Sequence, residues 1–427
     1  MEAAQQQVFP FILAECVKTS LQLPNSWKTD KSLLDLLALI QATILRGSSI
    51  SFQEMALNQA YRLFLDGDLS TINLQLEDTS ISQCVLWNGS NMTENMDISV
   101  LFPAIVGNCR KEAKSPIHDC LALLQQLGDR LIDSRSNMLS TQKMALVRTI
   151  ASIANKCSHP QMPETVKLYA QSRLVPILKD GASYPGHSRL DACLVTIWLA
   201  KALLIRGQAA GMDMLNVMMD MLSIPEPLAL DIAQSFTVLL QDDELVLTRA
   251  SFANVSILYK QRIFYHCIPI LISRAESAPN EAIRYNHLCA FSYIIINLPI
   301  QVITNEVHKF IGGFITSLRI MTLSDLLISL LHVAEKIVPG AMGELTIEHV
   351  HSLVEALLML GTSNRHMIVR IAALQALSAL TTRHDGTLLH QIAPVVIRQL
   401  AIALDDKKRQ VRRVAVTCRA NWFALIQ

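Results

Sequence analysis

A chain of 427 residues is long enough for two or three globular domains, but 51% of it is hydrophobic, with only 5% aromatic and 17% charged residues. Fifteen Gly and fifteen Pro exclude a low-complexity or loop-dominated chain. A formal net charge of +1 confines any nucleic-acid binding to a local patch.

Residues 1–65 read as a helical N-terminal segment of two or three helices. Its opening, MEAAQQQVFPFILAEC, has neither the positive flank nor the clean apolar centre of a signal peptide. A polar excursion at 66–98, containing WNGSNMTENMD, reads as a long loop or irregular insertion. The nine cysteines stand singly with no CxxC, the pattern of reduced intracellular thiols. On that reading NGS at 88–90, NMT at 91–93 and NVS at 254–256 are chance sequons, not glycosylation sites.

From 99 to 278 apolar residues recur at helical spacing but the helix pairs are irregular, with RLDACLVTIWLAKALLIRG the clearest second helix of a pair. GASYPGHS at 181–188 is a near miss to the phosphate loop GxxxxGK[ST]. His187 stands where the lysine would reach the phosphates, and a helix, not a strand, precedes it. His266 and Cys267 could ligate a metal only with partners that the sequence does not identify. The most apolar run, HLCAFSYIIINLPIQVI, holds His287 and Asn297 and falls short of a membrane span.

The last third repeats. Val411, Val414, Ala415, Cys418 and Trp422 lie at offsets that share one helical face. Forty-two residues earlier stand Val369, Ala372, Ala373, Ala376 and Leu380, and another 42 back Leu327, Leu330, Leu331, Ala334 and Val338. A third step gives Tyr285, Leu288, Cys289, Tyr293 and Ile296, with Ser292 as the one miss. Five residues ahead of each stripe are Asn280, Thr322, Asn364 and Asp406, all types that cap a helix N-terminus for about 1 kcal/mol. Val354 with Leu358, and Val396 with Leu400, mark a partner helix in the same frame.

Two helices per 42 residues, with Val369-Arg370 and Val411-Arg412 opening the second, predict HEAT repeats at 279–427. The whole is expected to be all-α, an armadillo-like α-solenoid of stacked antiparallel helix pairs, with 99–278 as irregular HEAT-like pairs. No catalytic constellation emerges. His349 and His351 point apart on a helix, where a metal pair needs i, i+4 spacing. His384, Asp385 and His390 surround a connection whose Asp-Gly is turn chemistry. Cys289 and Cys418 fall on core stripes. The expectation is a non-enzyme without cofactor or bound metal that binds protein partners.

Several stretches also resemble one family: DDELVLTRASFANVSILYKQRIF, APNEAIRYNHLCAFSYIIINLP, VRIAALQALSAL, LDDKKRQVRRVAVTCRANWF and, less specifically, TIWLAKALLIRG. Together they are similar to the C-terminal HEAT region of the methyl-methanesulfonate-sensitivity nucleotide excision repair protein family, over most of the chain and least at 66–98. Members of that family are longer, with an additional N-terminal HEAT half, so a fragment, isoform or truncated gene product would each look like this. The resemblance implies a scaffold of cytosolic iron–sulfur cluster targeting. Such a scaffold joins a propeller-type assembly factor and a small cysteine-bearing partner to client helicases, polymerases and primases, in cytoplasm and nucleus. It also implies links to DNA repair and genome stability. A different HEAT adaptor, such as a transport receptor or phosphatase scaffold, is the alternative, and direct nucleic-acid binding has less support. The candidate partner-binding residues are the terminal cations Lys408, Arg412, Arg413 and Arg419; of these, Lys408, Arg412 and Arg419 share a narrow flank of the last helix.

Overall fold

The structure, a computed structural model, describes residues 2–22, 31–66, 68–72, 97–114, 119–133, 138, 140–224, 226–341, 345–382 and 387–426. Most of the polar stretch expected as an insertion, and the pair His384 and Asp385, lie outside the described residues. Among the described residues all regular structure is helical. The chain is all-α, of the HEAT-repeat, armadillo-like α-solenoid class, and divides into two compact units.

The first unit comprises residues 1–221 and 241–259. It holds α1 (Glu2–Gln22), α2 (Lys31–Arg46), α3 (Ile50–Tyr61), α4 (Leu101–Val106), α5 (Cys120–Asp133), α6 (Ser140–Lys156), α7 (Met162–Tyr169), α8 (Val175–Lys179), α9 (Gly186–Arg206) and α10 (Ala210–Met221). Helix α9 is apolar on nearly every side and packs against α5, α6, α8 and α10, which is why its sequence reads as a continuous hydrophobic run. It ends at Gly207, whose φ of 83° suits glycine. The Gln208 amide bonds back to the Leu203 carbonyl at 2.9 Å, closing the last turn.

Residues 241–256 have no regular structure, and side-chain hydrogen bonds tie them to these helices. Arg148 Nε donates to Asp243 at 2.8 Å, and Asn108 Nδ2 to the Leu245 carbonyl at 2.9 Å. Asn155 accepts from the Asn254 amide at 2.8 Å, while Asn254 Nδ2 donates to the Asn155 carbonyl at 2.8 Å. These bonds satisfy backbone that a helix would otherwise pair internally.

The second unit comprises residues 222–240 and 260–427. It contains α11 (Leu228–Ser235), α12 (Thr237–Leu240), α13 (Tyr259–Glu276, from Lys260 onward), α14 (Glu281–Ile296), α15 (Ile300–Asn305), α16 (Val307–Ile320), α17 (Ser324–Ala341), α18 (Ile347–Ser363), α19 (Met367–Ala379), α20 (Thr387–Leu404) and α21 (Arg409–Ala424). First helices stack on first helices, α16 on α18 and α18 on α20. Second helices stack likewise, α14 on α17, α17 on α19 and α19 on α21. Within a repeat α18 packs on α19 and α20 on α21. No single pair can bury its own stripe, so stacking supplies the core.

The 42-residue stripe is the buried face. Val369, Ala372, Ala373, Ala376 and Leu380 are all buried, as are Leu327, Leu330, Leu331 and Ala334. Val411, Ala415, Cys418 and Trp422 are fully buried, with Val414 half-buried. The earliest copy departs from the frame. In α14, Tyr285, Tyr293 and Ile296 are half-buried, whereas Ile283, His287, Ala290, Phe291 and Ile294 are core. Helix α14 packs on α11 and α12 as well as α16 and α17, so its buried surface extends well beyond one stripe.

The caps are corrected by the structure. Asn280 caps α14 as expected, its side chain accepting from the Ile283 amide at 2.9 Å. Thr322 precedes α17 by two residues and instead meets the Tyr285 hydroxyl at 3.0 Å. Asn364 and Asp406 stand two residues before the N-cap residues of their helices. They accept from the amides of the N-cap residues His366 and Lys408 at 2.9 and 2.7 Å. This moves the start of α19 and α21 two residues on, because the loop uses the side chain as a local turn before the helix begins.

Candidate partner-binding surface

The last repeat is organised around Asp406. Arg370 Nε lies 2.8 Å from one of its carboxylate oxygens and Arg370 Nη2 donates to the other at 3.1 Å, joining α19 to the loop before α21. Arg370 Nη1 donates to the Asn364 carbonyl and, 42 residues on, Arg412 Nη1 donates to the Asp406 carbonyl, each at 2.7 Å. Burial alone would raise the Asp406 carboxyl. The Lys408 amide and the Arg370 and Arg412 guanidiniums overcome that and hold it below its ordinary value.

This geometry separates the four terminal cations. Arg412 is committed to the fold through that carbonyl. Arg419 is half-buried, donates from Nε to the Ile397 carbonyl at 3.3 Å and lies 5.0 Å over the Phe423 ring. Lys408 and Arg413 are exposed. The four cations therefore split into two inward guanidiniums, Arg412 and Arg419, that fasten the repeat and two outward cations, Lys408 and Arg413. Lys408 is the N-cap residue of α21, not part of its first turn, which begins at Arg409.

Apolar residues missing from the core frame complete the surface. On α21, Arg409, Arg413, Val416, Ala420 and Phe423 fall on one exposed arc, with Val416 58% and Phe423 38% accessible. On α20, Gln391, Val395, Arg398 and Ile402 form a second, with Val395 55% and Ile402 63% accessible. Val395 also lines a groove of about 340 Å³ between α18 and α20, with Leu358, Ile392, Glu355 and Gln399. Their signal was present in the sequence as apolar residues seven apart and off the buried stripe: 395 with 402, and 416 with 423. A surface of large apolar groups rimmed by cations suits binding of a protein with an acidic rim and an apolar centre.

The remaining candidates occupy ordinary positions. Asp180 accepts from the Ala182 and Ser183 amides in the turn before α9, so the phosphate-loop near miss is a helix-to-helix turn. Cys289 and Cys418 are buried, and burial pushes both thiols up to about 12. Cys267 is buried in α13 and shifts upward for the same reason. His349 sits in the first turn of α18 beside its cap Thr346, and His351 and His390 are exposed. Among the described residues no group of three or more His, Cys, Asp or Glu could hold a metal, and no helix is long and apolar enough to cross a membrane.

The family described as RNAPII transcription regulator C-terminal, MMS19_C, matches residues 1–381. A Homo sapiens relative, described as an MMS19 nucleotide excision repair protein homolog, is 30% identical over 436 residues, covering 98% of this chain and 39% of that protein. The Bos taurus protein of the same description is 29% identical over 428 residues, again 98% of this chain and 39% of the relative. The Mus musculus one is 35% identical over 238 residues, or 56% and 22%. The chain spans about two fifths of the length of the human and bovine relatives. Among solved structures, Kap121p bound to Pho4p is 12% identical with a TM-score of 0.36, covering 95% of this chain and 40% of that one. By its match along residues 1–381, the chain belongs to the MMS19 C-terminal family.

Proposed function

We propose that this chain is a non-enzymatic adaptor of cytosolic iron–sulfur protein assembly. In this reading it joins a propeller-type assembly factor and a small cysteine-bearing one to apoprotein clients of DNA replication, repair and transcription, in cytoplasm and nucleus. Family membership along residues 1–381 carries the proposal. The stacked repeats are compatible with it, since solenoids present extended surfaces for protein partners. The assembly factors dock on the exposed arcs of α20 and α21, with Lys408 and Arg413 meeting an acidic rim and Val395, Ile402 and Val416 its apolar centre.

The test is to express the tagged chain in cells and identify the proteins that co-purify. Recovery of both assembly factors is expected; recovery of transport or phosphatase partners without them overturns the proposal. The docking surface is tested with Arg413→Glu combined with Val416→Asp, expected to reduce recovery about tenfold, the equivalent of about 1.4 kcal/mol, at unchanged melting temperature. Undiminished recovery by the folded double variant refutes that surface.

A further inference from the structure

Of the eight cysteines that the structure describes, six are buried and two, Cys120 and Cys157, are part-exposed. Those two meet. Cys120 opens α5 and Cys157 follows the last residue of α6, and packing of α5 against α6 brings both to one end of the helix pair. A side-chain hydrogen bond links the two thiols. Both line a cavity of about 450 Å³ in the first unit. That is a size suited to a small molecule.

The cavity wall is cationic: Arg110, Lys111, Lys114 and Lys156 stand against Glu112 alone. Lys156 has no carboxylate among its hydrogen-bond partners. Its ammonium donates to the Gly107 and Cys109 carbonyls at 2.7 Å each, which leaves a third N–H. Burial pushes it down to about 8. The other cavity thiol, Cys109, bonds to the Ile105 carbonyl at 3.3 Å, and burial pushes it up to about 12, which makes it a bystander.

We propose that Cys120 and Cys157 form a reversible dithiol–disulfide site, oxidised by an anionic low-molecular-weight disulfide of the glutathione class that the cations of this cavity attract. Cys157 as thiolate attacks one sulfur of the small disulfide, forming a mixed disulfide and releasing one small thiolate. Cys120 then gives up its proton to solvent and attacks the Cys157 sulfur, releasing the second. The two protein thiols are oxidised to one disulfide as the small disulfide is reduced to two thiols. The order follows from Cys120, which burial, Cys157 and Asp119 all keep protonated. Asp119 is fixed beside it by capping α5, accepting from the Leu121 and Ala122 amides at 3.0 and 2.9 Å. The product staples the first turn of α5 to the end of α6. The inference stands apart from the adaptor reading and uses none of its surface.

The test treats the reduced full chain with glutathione disulfide, alkylates the remaining thiols and maps the peptides by mass. A linked Cys120–Cys157 peptide pair, about 2 Da lighter than the two free thiols, is expected and should be reversed by reduced glutathione. Cys120→Ser should trap a glutathione adduct on Cys157. Separate adducts on the two cysteines without a link, or two free thiols throughout, overturn the site. Lys111→Glu with Lys114→Glu should slow the reaction with glutathione disulfide several-fold and leave alkylation by neutral iodoacetamide unchanged. Equal rates with glutathione disulfide overturn the anionic oxidant.

Discussion

Replacing Asp406 by Asn tests how one repeat is fastened to the next. The carboxylate receives the Lys408 amide at 2.7 Å and faces Arg370 through contacts at 2.8 and 3.1 Å, with side chains only 10% and 12% accessible. Asparagine keeps an acceptor for the amide but loses the charge opposite Arg370. Hydrogen bonds to charged groups contribute about 1.5–3 kcal/mol, and desolvation of the pair offsets part of that, so Asp406→Asn should cost about 1–2 kcal/mol. Asp406→Ala also removes the acceptor of the Lys408 amide, which water can replace, and should cost about 1.5–3 kcal/mol. Urea unfolding of the full chain, combined with amide exchange to localise the effect, measures this. Exchange across Arg409–Ala424 should accelerate more than across α18, because the ion pair joins α19 to the start of α21. A double-mutant cycle with Arg370→Met should give a coupling of about 1–2 kcal/mol. The folded-state carboxyl is depressed, so the stabilisation is complete above the unfolded value near 3.9 and disappears as pH falls from there through the folded value. An unchanged midpoint for Asp406→Asn at pH 7, together with zero coupling, refutes the fastening role.

Two further outcomes follow from the second unit. Trp422 is fully buried and donates from Nε1 to the Leu377 carbonyl at 3.1 Å, so Trp422→Ala should cost about 3–5 kcal/mol by chemical denaturation, and Trp422→Phe distinctly less. His287 is fully buried, with Nδ1 2.9 Å from the Ile283 carbonyl, and burial lowers its proton affinity despite that bond. Below about pH 6.5 the unfolded imidazole takes a proton that the folded one resists, so stability should fall with falling pH by up to about 1.4 kcal/mol per unit. His287→Leu should flatten that slope between pH 6.5 and 5; an unaltered slope refutes the assignment.

Much of the second unit is legible in the sequence. The 42-residue frame named the buried faces of α17, α19 and α21 because stacked helix pairs need the same stripe in each copy. It failed in α14, whose extra neighbours α11 and α12 bury residues that a one-sided pattern leaves outside. It also misplaced two helix starts, since Asn364 and Asp406 serve equally well as caps or as turn-formers and only the loop backbone decides between them. Of the candidate surface, the cations were visible as types but not by role. Arg412 and Arg413 are adjacent in sequence; one is bonded to the Asp406 carbonyl and the other points to solvent.

Sequence alone determined the helical class, the repeat length and the buried stripes of α17, α19 and α21, because those depend on periodicity and on the burial of apolar groups. Tertiary structure decided what required distant residues to meet. It paired Arg370 with Asp406 across repeats, tied residues 241–256 to Asn108 and α6, and brought Cys120 to Cys157. Such contacts leave no periodic trace: they join side chains dozens of residues apart, and whether a charge or thiol faces a partner or solvent depends on helix packing that local pattern does not encode.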